Sequence, residues 1–379
     1  MSNKENPFRN LRVEYHILQS FPVSCLNRDD VGAPKTAIVG GTNRARVSSQ
    51  CWKRQVRLAL RDDFGIKIGN RTKMISTLIE NACKAEGATE TQAKECGEKI
   101  EKIFTKKESA SDDEAGKTDT LIFLAPAEVA LIAQKFKENK FNAKDVIKQS
   151  DAKKQAKELA GIIGESKLKN AQNLDGLDIA LFGRMVAQAA ELNVEAAASF
   201  SHAISTHKVS NEVEFFTALD DFSTDQGSAH MGILEFNSAT YYRYISLDIG
   251  QLYETLGDGE FISRAVEAFT KALYIAVPSA RQTTQSGASP WEYAKVFVRR
   301  GQRLQVSFEK AVKPKERDGG FLAGSIDELR EYLRVKEKNY GSLFGKISEF
   351  DFGKDEKFSI DDLAAGIQKA VQAFRENGV

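Results

Sequence analysis

Leu11, Val13, Tyr15 and Ile17 alternate with Arg12, Glu14 and His16, a period of two that predicts a half-buried strand over Leu11–Leu18. A turn-rich segment follows, with Gly-Ala-Pro ahead of Lys35 and a second turn at Gly40-Gly41. The period then lengthens. Trp52, Val56, Ala59, Leu60 and Phe64 recur at helical spacing from about Gln50, and Ser48 or Ser49 suits the cap of that helix. From about Asp62 to Asn170 helical spacing continues in a Lys-, Glu- and Ala-rich stretch, broken by an acidic linker at Ser109–Lys117 (SASDDEAGK). Strand-like alternation returns at Leu177–Met185 (LDIALFGRM) and Ser199–Val209, and Phe236–Leu247 is aromatic and β-branched. Helices are predicted at Leu252–Leu256 and Phe261–Ala276, the second stopped by Pro278, then a strand at Lys295–Arg300. Amphipathic helices at Ile326–Lys338 and Ile360–Arg375 close the chain. Strands scattered among helices, with no internal repeat, predict an α+β fold with insertions and not a doubly wound sheet.

Charge changes this picture in two places. Cys25–Arg61 holds eight basic residues (Arg28, Lys35, Arg44, Arg46, Lys53, Arg54, Arg57, Arg61) against Asp29 and Asp30, a local +6 in a chain of net +1. Lys53, Arg57 and Arg61 stand at i, i+4 beside the apolar stripe, so three cations stack on one helix face. A loop of cations feeding a serine-capped helix suits a row of phosphates, and such contacts read backbone and not sequence. Val209–Glu235 is the opposite: Glu212, Glu214, Asp220, Asp221, Asp225 and Glu235 with no Lys or Arg. Phe215, Phe216 and Leu219 sit inside it, and Gly227 and Gly232 bracket Ser-Ala-His-Met, a pattern for a bent hairpin or protruding loop.

The remaining numbers mostly exclude. At 379 residues the chain can bury a core in two or three lobes. Four cysteines without a CxxC pair fit a reduced, cytoplasmic protein, and no apolar run reaches the ~18 residues of a membrane span. Residues 1–10 read as a polar, disordered lead-in without a signal core. Gly40-Gly41 lacks the Gly-Lys-Ser/Thr of a nucleotide loop. His16, His202, His207 and His230 form no metal-ligand spacing and no Ser-His-Asp set, so no metal or cofactor is expected. The alternative function is a metal-dependent RNA endonuclease, for which Asp29, Asp30, Asp220 and Asp221 are the candidates, with Asp30 as the loop aspartate. A general single-strand binder calls for a more basic chain with several stacking aromatics.

Taken together, CLNRDD…K…GG…R-x-R-V-S-S-Q-x-x-K-R, DIALFGRM, SHAISTHKV and F-T-A-x-D-D…GSAHMG…EF…YYRY resemble the CasC family, the guide-RNA-binding backbone subunit of type I-E CRISPR Cascade. The resemblance runs from about residue 11 to 277. It implies an RRM-like (ferredoxin-like) palm carrying a helical fingers insertion and a protruding thumb hairpin. The parts fall at 11–61 and 171–208 (palm), 62–170 (fingers), 209–236 (thumb) and 237–379 (palm completion and C-terminal helices). It implies a non-catalytic function: copies polymerise head to tail along the crRNA, kinking it periodically for pairing with a target DNA strand, beside other Cascade subunits and away from membranes. On matching positions, the RNA would be held by Arg28, Lys35, Arg46, Ser48, Ser49, Gln50, Lys53, Arg54 and Arg57. Met185 would wedge near the bases, and Phe215, Phe216 and Leu219 would displace one base at the thumb. The first thumb aromatic is Phe215 where the family pattern has tryptophan, which leaves less stacking area.

Overall fold

The computed structural model describes residues 6–105, 121–166, 174–186, 189–217, 231–257, 259–281, 285, 287–316 and 319–377. In chain order, β1 (Leu11–Ser24), β2 (Thr36–Val39) and β3 (Thr42–Val47) lead into α1 (Ser49–Asp62). Then come β4 (Asn70–Thr72), α2 (Ile75–Ala85), α3 (Glu90–Phe104), β5 (Ile122–Leu124), α4 (Pro126–Glu138), α5 (Ala143–Val146), α6 (Ala152–Ser166) and α7 (Leu177–Phe182). Short strands β6 (Ala198–Phe200) and β7 (Ala203–Ser205) precede β8 (Glu212–Thr217) and β9 (Met231–Asp248). The last elements are α8 (Ile249–Leu256), α9 (Gly259–Ile275), β10 (Tyr293–Arg300), α10 (Leu322–Tyr340), β11 (Lys346–Phe352) and α11 (Ile360–Asn377). The fold is α+β, as the pattern predicts. The chain divides into two compact units: Asn10–Ala59 with Ser199–Leu247 and Phe269–Val379, and Met1–Arg9 with Leu60–Ala198 and Asp248–Ala268.

The first unit is built on a mainly antiparallel sheet of order β11-β10-β1-β9-β7-β3-β2, with β6 and β8 also pairing to β9. The register of β1 on β10 sets Leu11 opposite Arg300 and Leu18 opposite Tyr293. The prediction of a half-buried first strand is corrected, because both faces of β1 are covered. Tyr15 meets Phe269 edge to face on one side, while Leu18, Tyr242, Tyr244 and Phe297 pack against Leu329 and Leu333 of α10 on the other. The polar half of the alternation is therefore buried and must be paired. Glu14 accepts from Arg299, the Tyr244 hydroxyl and the Leu304 amide. His16 Nδ1 lies 2.9 Å from the Tyr242 hydroxyl, and Gln19 accepts from Arg243 at 2.7 Å. Burial beside Arg299 and Lys295 pulls the His16 imidazole down to about 3, so it stays neutral. β11 was not predicted: KISEFDF is an edge strand whose exposed positions read as loop.

The second unit is mostly helical and has its own core, with Ile79, Cys83, Ile100, Phe104, Ile132, Phe136, Leu159 and Ile163 among its buried residues. Thr89 and Gln92 form a reciprocal capping box at α3. LDIALFGRM, expected as a strand, is instead a helical turn. Gly176 and Gly183, both at φ 77°, stop it at six residues, and Leu177–Leu181 are buried all round, so alternation carries no face information. Asp178 accepts from the Gly69 amide at 2.9 Å, and the Gly176 amide donates to Lys67. These bonds tie residues 174–186 to the helical unit, which is larger than an insertion over 62–170. Within the expected lead-in, Phe8 is buried against Tyr253 and Asn6 donates to Gly250, so order begins by Asn6. The acidic linker Ser109–Lys117 lies outside the described residues. Among the described residues no helix is long and apolar enough to cross a membrane.

Candidate nucleic-acid interface

The basic loop is held by two short polar side chains. Asn27 accepts the Lys35 amide on its carbonyl (2.8 Å) and the Ser48 amide on Oδ1 (2.9 Å), joining the loop to the start of α1. Asp29 Oδ1 accepts the amides of Val31 (3.0 Å) and Ala33 (2.9 Å), so this carboxylate orders the loop that carries Arg28. Gly40 and Gly41, at φ 57° and 72°, make the two-residue turn between β2 and β3. A Cβ on Gly40 would also collide with the Glu309 carbonyl, so this turn admits only glycine.

Helix α1 buries Trp52, Val56, Ala59 and Leu60. Trp52 packs with Phe21, Leu26, Val47 and Tyr241 and is roofed by the Arg243 guanidinium, 3.6 Å from the ring. Ser48 is the cap, its Oγ accepting the Cys51 amide at 3.3 Å. The amides of Ser49 and Gln50 have no intrahelical acceptor, and the first turn carries no acid to neutralise the helix's positive end. Lys53 is half-buried, its ammonium 5.7 Å from the Phe200 ring, and partial burial lowers its pKa. Arg28, Gln50 and Arg54 are exposed, whereas Lys35, Arg46, Ser48, Ser49 and Arg57 are intermediate. Lys35, Arg46, Ser48, Ser49, Lys53, Arg54 and Arg57 thus share one continuous stretch of loop, strand and helix.

Two of the eight basic residues do not belong to that surface. Arg44 is fully buried and spends its guanidinium on Thr42 Oγ1 and the carbonyls of Ser205, Phe308 and Glu309 at 2.8–3.1 Å. Arg61 is paired with Asp62 at 2.6 Å, which shortens the expected three-cation stripe to Lys53 and Arg57.

The Ser199–Val209 run breaks into the end of β6 and β7, and the break holds His202. This imidazole is exposed, its Nδ1 3.5 Å from Arg46 Nη1. Partial desolvation first, then Arg46 and Lys35, lower its pKa. Two residues earlier Phe200 faces Lys53, and Ser199 Oγ accepts from Arg303 at 2.6 Å, bringing a cation from the C-terminal region beside the strip. His202, Asn27 and Arg303 escape a sequence reading. The histidine spacing speaks only to metal sites and Ser-His-Asp sets, and nothing in Arg303's neighbours marks it.

Met185 is 86% exposed on the second unit. It follows Arg184, which is buried and bonded to Glu128 (2.7 Å), the Leu192 carbonyl (2.7 Å) and the Phe123 carbonyl (3.0 Å). Glu128 also accepts the Ala125 amide (2.8 Å), so the buried pair is bonded on both sides and anchors the backbone just before the methionine.

The acidic segment is a two-stranded arm. Glu212 pairs with Phe236 and Thr217 with Met231, and every residue of Glu212–Phe216 is exposed, so neither face is packed in a core. The register sorts its side chains. Val213 (64% exposed), Phe215 (58%) and Ile233 (66%) share one face with Glu235; Glu212, Glu214 and Phe216 share the other with Leu234. A Cβ on Gly232 would meet the Phe216 ring, which lies across that glycine. The root of the arm is tied to the basic hairpin: Asn43 and Val209 exchange two bonds (3.0 and 3.1 Å), and Asn211 donates to the Pro34 carbonyl (3.4 Å). Leu219, Asp220, Asp221, Asp225 and His230 lie outside the described residues. Among the described residues, no three His, Cys, Asp or Glu side chains converge on a metal-sized site.

No match was found among curated proteins. Among solved structures, the chain is similar to a chain of a "CRISPR RNA-guided surveillance complex, pre-nicking", with TM-score 0.77 and 27% identity over 96% of this chain and 100% of that one. A second match, from a "CRISPR RNA-guided surveillance complex", has TM-score 0.68 at 24% identity, covers 96% of this chain and 99% of that one, and bears on the fold alone. The model of a CRISPR-associated (Cas) family, described as CT1975-like protein, matches residues 13–372, and the chain belongs to that family.

Proposed function

We propose that the chain is a non-catalytic guide-RNA-binding backbone subunit of a CRISPR surveillance complex, of the CasC kind in type I-E Cascade, working in the cytoplasm. The observation that carries this reading is the strip from Lys35 to Arg57. Its side chains are cations and hydroxyls set on bonded loop, strand and helix, suited to successive phosphates and indifferent to base identity. A subunit that accepts any guide needs that indifference, since base pairing supplies specificity. Likeness to a chain of an RNA-guided surveillance complex supports the same assignment.

In this reading the sheet unit supplies an RRM-like palm, the helical unit the fingers and the β8–β9 arm the thumb. The arm's apolar face, with Phe215, inserts between bases and unstacks one step, at a cost of a few kcal/mol recovered by RNA contacts. Met185, held out beside the anchored Arg184, wedges near the bases. The acidic face, Glu212 and Glu214, meets the basic surface of the next copy, giving a heterologous head-to-tail contact. Target DNA pairs with the crRNA held this way, and other Cascade subunits cap the assembly.

Nuclease footprinting of the assembled protein on single-stranded RNA tests the reading. Protection at a fixed nucleotide period is expected; uniform protection marks a general binder. Incubation with complementary RNA or DNA and divalent metal tests the absence of catalysis. No cleavage is expected, and cleavage abolished by Asp30→Ala would make the chain an endonuclease.

A further inference from the structure

We infer that His202 is a proton-coupled phosphate ligand, which makes RNA binding by the Lys35–Arg46 end of the strip tighten as pH falls. The inference rests on the RNA-binding reading above and adds a residue and a dependence to it.

The placement is specific. His202 sits in the gap between β6 and β7, exposed, with Nδ1 3.5 Å from Arg46 Nη1. A guanidinium only donates, so Nδ1 faces it as an acceptor and the ring proton sits on Nε2. Among the described residues, the charges acting on the imidazole are Arg46, from β3, and Lys35, from the loop before β2, and neither is a carboxylate. Arg46 is fixed from behind by its Nε donating to the Thr36 carbonyl at 3.3 Å, and Lys35 by the bonds of its backbone to Asn27 and Arg46. Partial desolvation first, and then the two cations beside it, disfavour the charged form of this imidazole.

A phosphodiester entering this cluster reverses the balance. Its negative charge offsets Lys35 and Arg46, the coulombic part of what disfavours the imidazolium is removed, and a solvent proton moves onto Nδ1. The imidazolium N–H then donates to a phosphate oxygen, a charge-assisted bond. The complex holds one more proton than the free partners, so affinity rises as pH falls through the histidine range. The other described histidines are not placed to do this: His16 is buried and His207 is fixed between the Thr240 amide and the Lys208 carbonyl.

The test measures binding of a short labelled oligouridylate, whose bases do not titrate in this window, from pH 8 to pH 5.5 at constant salt. About tenfold tighter binding at pH 5.5 is expected, corresponding to about one pKa unit of linkage. His202→Gln should bind with a flat pH profile, and His202→Lys should hold the acid-limit affinity throughout. The His202 ring signals in NMR should titrate at higher pH once oligouridylate is added. A flat wild-type profile, or a pH dependence that survives in His202→Gln, overturns the inference while leaving RNA binding in place. Absence of binding at every pH overturns the RNA-binding reading, and this inference with it.

Discussion

Between Asn27 and Arg57 the side chains that face outward stand on backbone held from several directions. On Glu212–Phe216 they stand on an exposed strand paired, among the described residues, only to Gly232–Phe236 of β9. The difference follows from what each region has to hold. Cations set against one another need fixed spacing, and here Asn27, Asp29, Ser48 and the Gly40-Gly41 turn provide it. Apolar side chains held out of a core need only reach and a register that decides which face they share. The arm obtains its register from β8–β9 pairing and its anchorage from Asn43, Val209 and Asn211. Backbone support sits in the part proposed to meet phosphates, and exposure in the part proposed to meet bases.

The largest predicted effect separates two arginines two residues apart. Arg44→Met leaves the carbonyls of Ser205, Phe308 and Glu309 without their donor and should cost about 3 kcal/mol in urea unfolding. Arg46→Met should change stability by less than about 0.5 kcal/mol and act on RNA affinity instead. Equal losses from both would erase the distinction between inner and outer cations.

Two glycines give the next comparison. Gly40→Ala places a Cβ at positive φ and against the Glu309 backbone, and should cost about 2 kcal/mol. Gly232→Ala meets only the Phe216 ring on an exposed arm, which can turn aside, so under about 0.5 kcal/mol is expected. An arm as intolerant as the clamp would show as matching losses in thermal melts.

Removing Lys53 and Arg57 together should reduce the salt slope of RNA binding by about 1.4, at ~0.7 per single-strand phosphate. Lost affinity with an unchanged slope would assign both residues to helix packing. The smallest expected effect concerns the arm's acidic face. Reversing Glu212 and Glu214 to Lys should leave unfolding unchanged and weaken assembly on RNA, most visibly at low salt. Assembly indifferent to both reversal and salt would remove the electrostatic contact between copies.

Much of this was legible in the sequence, for physical reasons that also explain the exceptions. Helix α1 announced itself through Ser48 and the Trp52–Leu60 stripe because cap and period agree. The arm was legible from its acids and glycines. LDIALFGRM was not, because a segment buried on all sides loses the alternation that separates strand from helix. Arg44 and Arg61 were counted with the surface because a residue list shows charge and not where a guanidinium ends. His202 was invisible for the converse reason: its neighbours Arg46 and Lys35 are brought to it only by the sheet.

The central claim is that this chain carries guide RNA, and sequencing the small RNA that co-purifies with it from its own cells tests that most directly. Repeat-derived guides of uniform length are expected. Random cellular RNA, or none, would contradict it.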